Sequence, residues 1–379
     1  MKFTPYGSQY IDKKDINSVK KVLKKDIITG GSEVIKFEKK IRNYLGCKYS
    51  AVCNSGTSAL FLTFLAIKLK KNDIVIMPSI NFIGAYNVAK ILGARIFLAD
   101  VDSQTGQMSP HDVEKCYKKF KLKKVKAIIT MYNGGYPENA SNFIKFKKKL
   151  GCYIIEDSCH ALGSEYYYNK KYYKIGSCKH SDLCTFSLHP LKTITTGEGG
   201  IVTTNSKKID NLIKNFRSHG ILKTKKEHWN YNVINSGFNF RLNDFQSALG
   251  ISQLKKIQSF INYRKKIYHN YKKQFSSIKE ISVPKYENNN KPSYHLYIIN
   301  LKNFNLNKKI KFIKYMLKNK IIVQYHYVPI YKFKVFKEKY IGINAEKYYE
   351  NSVSLPIHCK LSINTQNFII KKVKGFFKK

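Results

Sequence analysis

The sequence predicts an α/β fold: a large domain on a mostly parallel sheet, followed by a smaller C-terminal α+β domain. Three observations predict it. Short apolar runs alternate with stretches of helical periodicity over the first two-thirds of the chain, polar motifs fall where those runs end, and the last third returns to strands and helices after a polar interruption. Parallel strands need a crossover between them, usually a helix, and this alternation is how such units read in sequence. A chain of 379 residues is long enough for two domains. The division is placed at residue 250, giving a large domain over 1–250 and a smaller one over 251–379.

In chain order, 50–53 reads as a short strand and 58–69 as a helix. A strand over 73–77 stops at Pro78, 82–92 is helical, and 94–98 is the next strand. Strands follow over 125–131 and 152–156, with a Lys-rich helix over 142–150 between them, and two more strands over 183–188 and 200–204. Residues 242–271 read as one or two long helices, with Phe245, Leu249, Leu254 and Ile257 near helical spacing. The segment 286–293, containing Asn288-Asn289-Asn290, reads as a loop, and 294–379 supplies the smaller domain. No internal repeat is visible.

Composition excludes several classes. Hydrophobic residues make up 43% of the chain, enough for a sizeable core. The longest apolar stretch, 59–67, is interrupted by Thr63, whereas a membrane span needs about 20 apolar residues, so no membrane insertion is expected. The opening Met1-Lys2-Phe3-Thr4-Pro5-Tyr6-Gly7 has no apolar run, so no secretory leader is expected. The net charge is +45, yet Arg occurs only at Arg42, Arg95, Arg217, Arg241 and Arg264. Nucleic-acid proteins concentrate basic residues and favour Arg for bidentate contacts. Lysines spread along the whole chain read instead as a solvated surface, whose diffuse field would draw in anionic small molecules. The eight cysteines contain no Cys-x-x-Cys pair, so no metal site is expected, and they read as buried reduced thiols of a cytoplasmic protein.

Four segments carry chemistry. In Asn54-Ser55-Gly56-Thr57-Ser58 a strand runs into a helix, placing backbone N–H groups and hydroxyls where the helix dipole favours an anion; an ordinary N-cap is the simpler alternative. In Glu156-Asp157-Ser158-Cys159-His160 two carboxylates end an apolar strand, the place where open α/β sheets bind ligands. Asp157 could hold a cation such as a pyridinium N–H, and His160 could stack on or hydrogen-bond a ring; a loop carboxylate and a half-buried histidine are the alternatives. The third stretch, Ser187-Leu188-His189-Pro190-Leu191-Lys192, feeds a Thr- and Gly-rich turn through Gly200. A lysine desolvated there could lose its proton and form a Schiff base. The fourth holds Arg217-Ser218-His219-Gly220 and Asn239-Phe240-Arg241-Leu242-Asn243-Asp244, where each arginine could equally serve a structural ion pair and Asn243 could cap the following helix.

The ordered set 54–60, 156–161, 187–200, 217–220 and 239–250, extended by 295–297, 324–331 and 354–358, resembles the DegT/DnrJ/StrS family of nucleotide-sugar aminotransferases. The resemblance covers nearly the whole chain. It implies the type I fold of pyridoxal phosphate-dependent transferases, which is aspartate-aminotransferase-like. It implies pyridoxal 5′-phosphate as cofactor, with Lys192 as the Schiff-base lysine and catalytic base, and Asp157 as partner of the pyridine nitrogen. Gly56, Thr57 and Ser187 would bind the phosphate, joined by Asn239 from the other subunit of a homodimer with a shared active site. Phe82 would stack on the pyridine face, where the preceding Asn81 stands in place of the family's usual Thr, and His160 would lie near the ring hydroxyl. Tyr6, the segment Asp26, Ile27, Ile28 and Thr29, and the segment Gln324, Tyr325, His326 and Tyr327 would line the sugar-nucleotide site.

The resemblance further implies transfer of an amino group from L-glutamate to C4 of a UDP-linked 4-keto-6-deoxy-N-acetylhexosamine, as in pseudaminic acid biosynthesis, with ping-pong kinetics. Three alternatives stand beside it. Family members that act as sugar dehydratases carry His at the lysine position, which Lys192 argues against. The keto sugar could be of a perosamine or aminoarabinose type. A basic nucleic-acid-binding or regulatory protein on this fold would have no need of Asp157, Ser187, Lys192 and Asn239 together.

Overall fold

The computed structural model describes residues 3–223 and 229–377. Its centre is a seven-stranded sheet. The first five strands in chain order are β1 (Tyr49–Cys53), β2 (Ile74–Pro78), β3 (Arg95–Ala99), β4 (Val125–Met131) and β5 (Tyr153–Asp157). A surface hairpin, β6 (Glu165–Tyr168) and β7 (Lys171–Lys174), precedes β8 (Leu183–Ser187) and β9 (Gly200–Thr204). The sheet order is β1-β9-β8-β5-β4-β2-β3, and β9 alone runs antiparallel to its neighbours. The expected mostly parallel sheet is therefore present. The registers place Asp157 beside Met131 on β4 and beside Thr185 on β8, so three strands end together at one edge.

The strands read as continuous apolar runs because both faces are covered. Val75, Met77, Ile129, Ile155 and Val202 pack on one face against α3 (Gly56–Ala66), α4 (Ile83–Ile91) and α7 (Lys207–Arg217). Their neighbours Ile76, Ile128 and Ile154 point the other way, toward α5 (Pro110–Lys119) and α6 (Ile144–Leu150). Val52, Phe186 and Ile201 on that second face meet α2 (Ser32–Leu45) and the start of α9 (Ile257–Phe275). Helix α3 is apolar on every side because it is buried against strands and helices alike. It begins two residues earlier than its periodicity suggested, because Ser55 caps it by accepting from the Ser58 N–H.

The apolar pattern over 242–271 resolves into two helices, α8 (Asp244–Leu254) and α9, with Asn243 capping α8 as expected. Residue 250 lies inside α8. The break falls at Lys255-Lys256, where Lys256 Nζ reaches Asp12, the N-cap of α1 (Lys13–Leu23), at 2.8 Å and the fully buried Asp15, in the first turn of α1, at 2.6 Å. Beyond the hairpin β10 (Ile221–Lys223) and β11 (Tyr231–Val233), the C-terminal part is an antiparallel sheet of β12 (Ile281–Ser282), β13 (Tyr297–Leu301) and β14 (Ser352–Leu355). Helices α10 (Leu306–Lys318), α11 (Ile343–Asn351) and α12 (Ile363–Phe377) belong to this part. The N-terminal segment crosses to it: Thr4 pairs with Ile321, and Tyr6 accepts from the Ile357 N–H. No helix among the described residues is long and apolar enough to cross a membrane.

Arg217 has the structural role left open by its sequence context. Its Nη1 donates to Glu38 Oε1 at 2.6 Å and to the Val52 carbonyl at 2.7 Å, while Glu38 also accepts from the Val52 N–H. This partly buried pair ties α2, β1 and α7 together. Removing one partner strands the other charge. Glu38→Ala is expected to lower stability by about 3–5 kcal/mol in denaturant unfolding, and a loss below about 1 kcal/mol would show the pair to be solvated.

Candidate active site

A cavity of about 660 Å³ opens where β5 and β8 end. Asp157 closes β5 and is buried, and its carboxylate accepts a long bond of 3.4 Å from the Cys159 N–H. Burial raises its pKa, and the neighbouring Cys159, Lys192 and Asn81 pull it back only in part. Lys192 sits on the loop after β8 and lines the same cavity. Loss of water around its half-buried side chain lowers its pKa, against the opposing pull of Cys159 and Asp157. The two groups are thus pushed toward their neutral forms by the same dry surroundings, and each restrains the other.

Gly56 opens α3, and Ser187 ends β8 beside it. A Cβ on Gly56 would fall 2.8 Å from the Ser187 Cβ, so the strand end and the helix N-terminus meet this closely only because residue 56 is glycine. The N–H groups of Gly56 and Thr57 at the positive end of α3, with the Ser187 hydroxyl, make a cradle for an anion. Phe82, at the N-cap position of α4, presents a ring that is 54% exposed, in contrast to the buried aromatics of the core. Asn81 before it is buried, lines the cavity, and lies close enough to Asp157 to help hold its carboxyl charged.

His160 is buried and accepts from the Gly134 N–H through Nδ1 at 3.3 Å, while its Nε2 lies 2.8 Å from the Tyr327 hydroxyl. Desolvation, then the positive charge of Lys192, hold its pKa well below the ordinary value, so the ring is neutral. His295 packs against it with ring centroids 4.3 Å apart. Gln324, Tyr325, His326 and Tyr327 form one wall, held to β14 by paired backbone bonds between Gln324 and Ser354, and Tyr6 closes the rim.

The cavity therefore unites Tyr6, Gly56, Thr57, Phe82, Asp157, His160, Ser187, Lys192 and 324–327 from the sequence-predicted set. Asp26, Ile27, Ile28, Thr29 and Asn239 do not line it. Ile28 and Thr29 instead lie at the start of α8, where the Ile28 carbonyl accepts from the Asp244 N–H and Thr29 bridges to Asn243. Asn239 pairs with Ser218 on the adjoining stretch. Sequence reasoning missed Cys159, His189, His295 and Glu198 as wall residues. All four lay inside segments already singled out, 156–161, 187–200 and 295–297, without being assigned to the cavity. No group of His, Cys, Asp or Glu among the described residues has a metal-binding arrangement.

Sheet, cavity and lysine–carboxylate pair define an α/β enzyme of the type I transferase fold. The chain belongs to the DegT/DnrJ/EryC1/StrS aminotransferase family, whose model matches residues 9–374. It is 36% identical over 367 residues to the UDP-4-amino-4,6-dideoxy-N-acetyl-β-L-altrosamine transaminase of Campylobacter jejuni strain 81-176, covering 96% of this chain and 95% of that one. The enzyme of the same name from Helicobacter pylori is 33% identical over 385 residues, covering 99% of this chain and 98% of that one. Among solved structures, Helicobacter pylori PseC, an aminotransferase of pseudaminic acid biosynthesis, superposes with a TM-score of 0.91 at 31% identity over the full length of both chains.

The buried Asp157 costs stability in its charged form. Because its folded-state pKa is raised, that cost is present at neutral pH and disappears as pH falls below the ordinary aspartate range. Asp157→Asn is therefore expected to stabilise the ligand-free protein at pH 7 by on the order of 1–2 kcal/mol, with the difference from wild type vanishing in acid. A destabilised variant at pH 7 would mean that the carboxylate is satisfied within the protein.

Proposed function

We propose that this chain is a pyridoxal phosphate-dependent transaminase that moves an amino group from L-glutamate to C4 of a UDP-linked 4-keto-6-deoxy-N-acetylhexosamine, giving UDP-4-amino-4,6-dideoxy-N-acetyl-β-L-altrosamine. The observation that carries this reading is one cavity holding an amine of lowered pKa, a buried carboxylate and an anion cradle at a helix end.

The residues fit the cofactor. Gly56, Thr57 and Ser187 would take its phosphate. Asp157, otherwise a buried carboxylate with one weak bond, would face its ring nitrogen, and Phe82 would cover a ring face. When bound, the cofactor supplies an electron sink for the carbanion left when the donor's α-proton is removed. Asp157 would keep that sink effective by holding a proton on the ring nitrogen. Lys192 Nζ, uncharged more readily than an exposed lysine, would hold the cofactor and, once free of it, would move the donor's α-proton. The C4 position rests on the two transaminases that share about a third of this sequence.

We further propose a homodimer in which 26–29 and Asn239, gathered away from this chain's own cavity, complete the partner's. The eight free cysteines, with no disulfide formed, accord with a cytoplasmic enzyme.

Incubation with L-glutamate and UDP- or dTDP-linked keto sugars, with product analysis, tests the reading. The UDP 4-keto-6-deoxy-N-acetyl substrate is expected to be aminated in preference, and Lys192→Ala is expected to lower turnover by more than about 10⁴-fold. Preference for a dTDP sugar would reassign the substrate, and turnover by Lys192→Ala would place the base elsewhere.

A further inference from the structure

A second cavity, of about 430 Å³, opens at the β3 edge of the central sheet and shares no lining residue with the active site. Small-molecule sites run from roughly 300 to 1,000 Å³. One wall is the outer side of β3, which pairs only with β2. The other is the segment 336–340. It is held there by Glu338 Oε1, which accepts from Lys90 Nζ at 3.1 Å, and by the Val335 carbonyl, which accepts from Tyr86 Oη at 3.3 Å. The Arg95 N–H donates to the Asp73 carbonyl at 2.8 Å, and the Ala99 carbonyl accepts from the Ser79 N–H at 2.9 Å. Bonding sides alternate along a strand, so the N–H and C=O groups of Ile96 and Leu98 point outward, into this cavity. No partner for them is present among the described residues, and an unpaired strand edge is a ready hydrogen-bonding surface.

The same cavity carries rings and cations together. Phe97, Phe120 and Tyr340 form a row, with centroids 5.2 Å and 6.5 Å apart. The Arg95 guanidinium stands 5.5 Å from the Phe97 centroid, and Lys119 Nζ stands 5.5 Å from that of Phe120 and 5.7 Å from that of Tyr340. The rings hold these cations in place, and Lys339 adds another. The one lining carboxylate, Glu338, is already paired with Lys90. The chain is basic throughout, so charge alone selects nothing. The rings and the open edge of β3 beside these cations do.

We propose that this cavity is a second binding site, separate from the active site, for a small planar heteroaromatic anion. The ligand's ring packs on the row of Phe97, Phe120 and Tyr340. Its N–H and C=O edge pairs with the outward groups of Ile96 and Leu98, and its anionic group meets Arg95 and Lys339. Each part narrows the class. A purely apolar ligand would cover the β3 edge and leave its backbone groups unpaired. An inorganic anion would leave the rings unused. The assignment stands on this cavity alone and does not depend on the transamination reading.

The probe is orotate, a flat ring with a carboxylate and an N–H and C=O edge, titrated calorimetrically into the full chain. One equivalent is expected to bind, and saturating UDP is expected to leave that binding unchanged. The double variant Arg95→Ala, Lys339→Ala changes two exposed side chains outside the active site. It is expected to bind orotate at least about tenfold more weakly, the loss of one charge-assisted hydrogen bond, with its thermal unfolding unchanged. Phe97→Leu keeps the apolar bulk, removes the first ring of the row and is expected to weaken binding as well. No saturable binding to the wild type overturns the proposal, as does undiminished binding to the double variant. Displacement by UDP would assign the orotate to the active site and overturn it too. Sulfate bound as tightly as orotate would reduce the cavity to a patch of positive charge and overturn the assigned ligand class.

Discussion

The parallel pairing of β5 with β8 is the constraint on which the rest depends. It sets Asp157 beside Thr185, so the end of β5 and the start of the lysine-bearing loop emerge at one edge of the sheet. The close approach of Ser187 to Gly56 then brings the N-terminus of α3 to the same point. A carboxylate, an amine and an anion cradle, drawn from segments spread between Gly56 and Lys192, share one cavity because strand ends share one edge. The helices on both faces keep that edge dry, which is the physical origin of the shifts at Asp157, Lys192 and His160.

Those shifts have a common cause and unlike consequences. Desolvation favours a neutral amine at Lys192, which suits a nucleophile and base, and the same desolvation makes an unliganded Asp157 costly. A cationic ring nitrogen would relieve that cost. The site is thus less stable by itself than with its ligand, the usual relation between pre-organised function and stability. His160 follows the same logic: burial and the nearby Lys192 hold its ring neutral.

The strands of the central sheet were legible because burial on both faces makes them continuous apolar runs, and the polar motifs at their ends marked the edge where the cavity lies. Other features depend on distant partners. The antiparallel sense of β9 is invisible in a strand that reads like its neighbours. The break between α8 and α9 depends on Asp12 and Asp15, some 240 positions away from Lys256. Glu198 and His295 stood in motif segments, but only tertiary packing turns their side chains to the cavity, and Arg217 shows its role only once Glu38 is beside it. Segment 26–29 and Asn239, whose roles the resemblance implies, lie outside the chain's own cavity: Ile28 and Thr29 meet the start of α8, and Asn239 pairs with Ser218.

The central claim is that Lys192 and Asp157 work together on a bound cofactor that accepts an amino group. The most direct measurement is the visible absorbance of the purified, pyridoxal phosphate-loaded protein before and after L-glutamate is added without sugar. A lysine-bound cofactor band that bleaches to the pyridoxamine form as one equivalent of 2-oxoglutarate appears is expected. A band that glutamate leaves unchanged would contradict the assigned donor. The absence of any band after loading would contradict the claim outright.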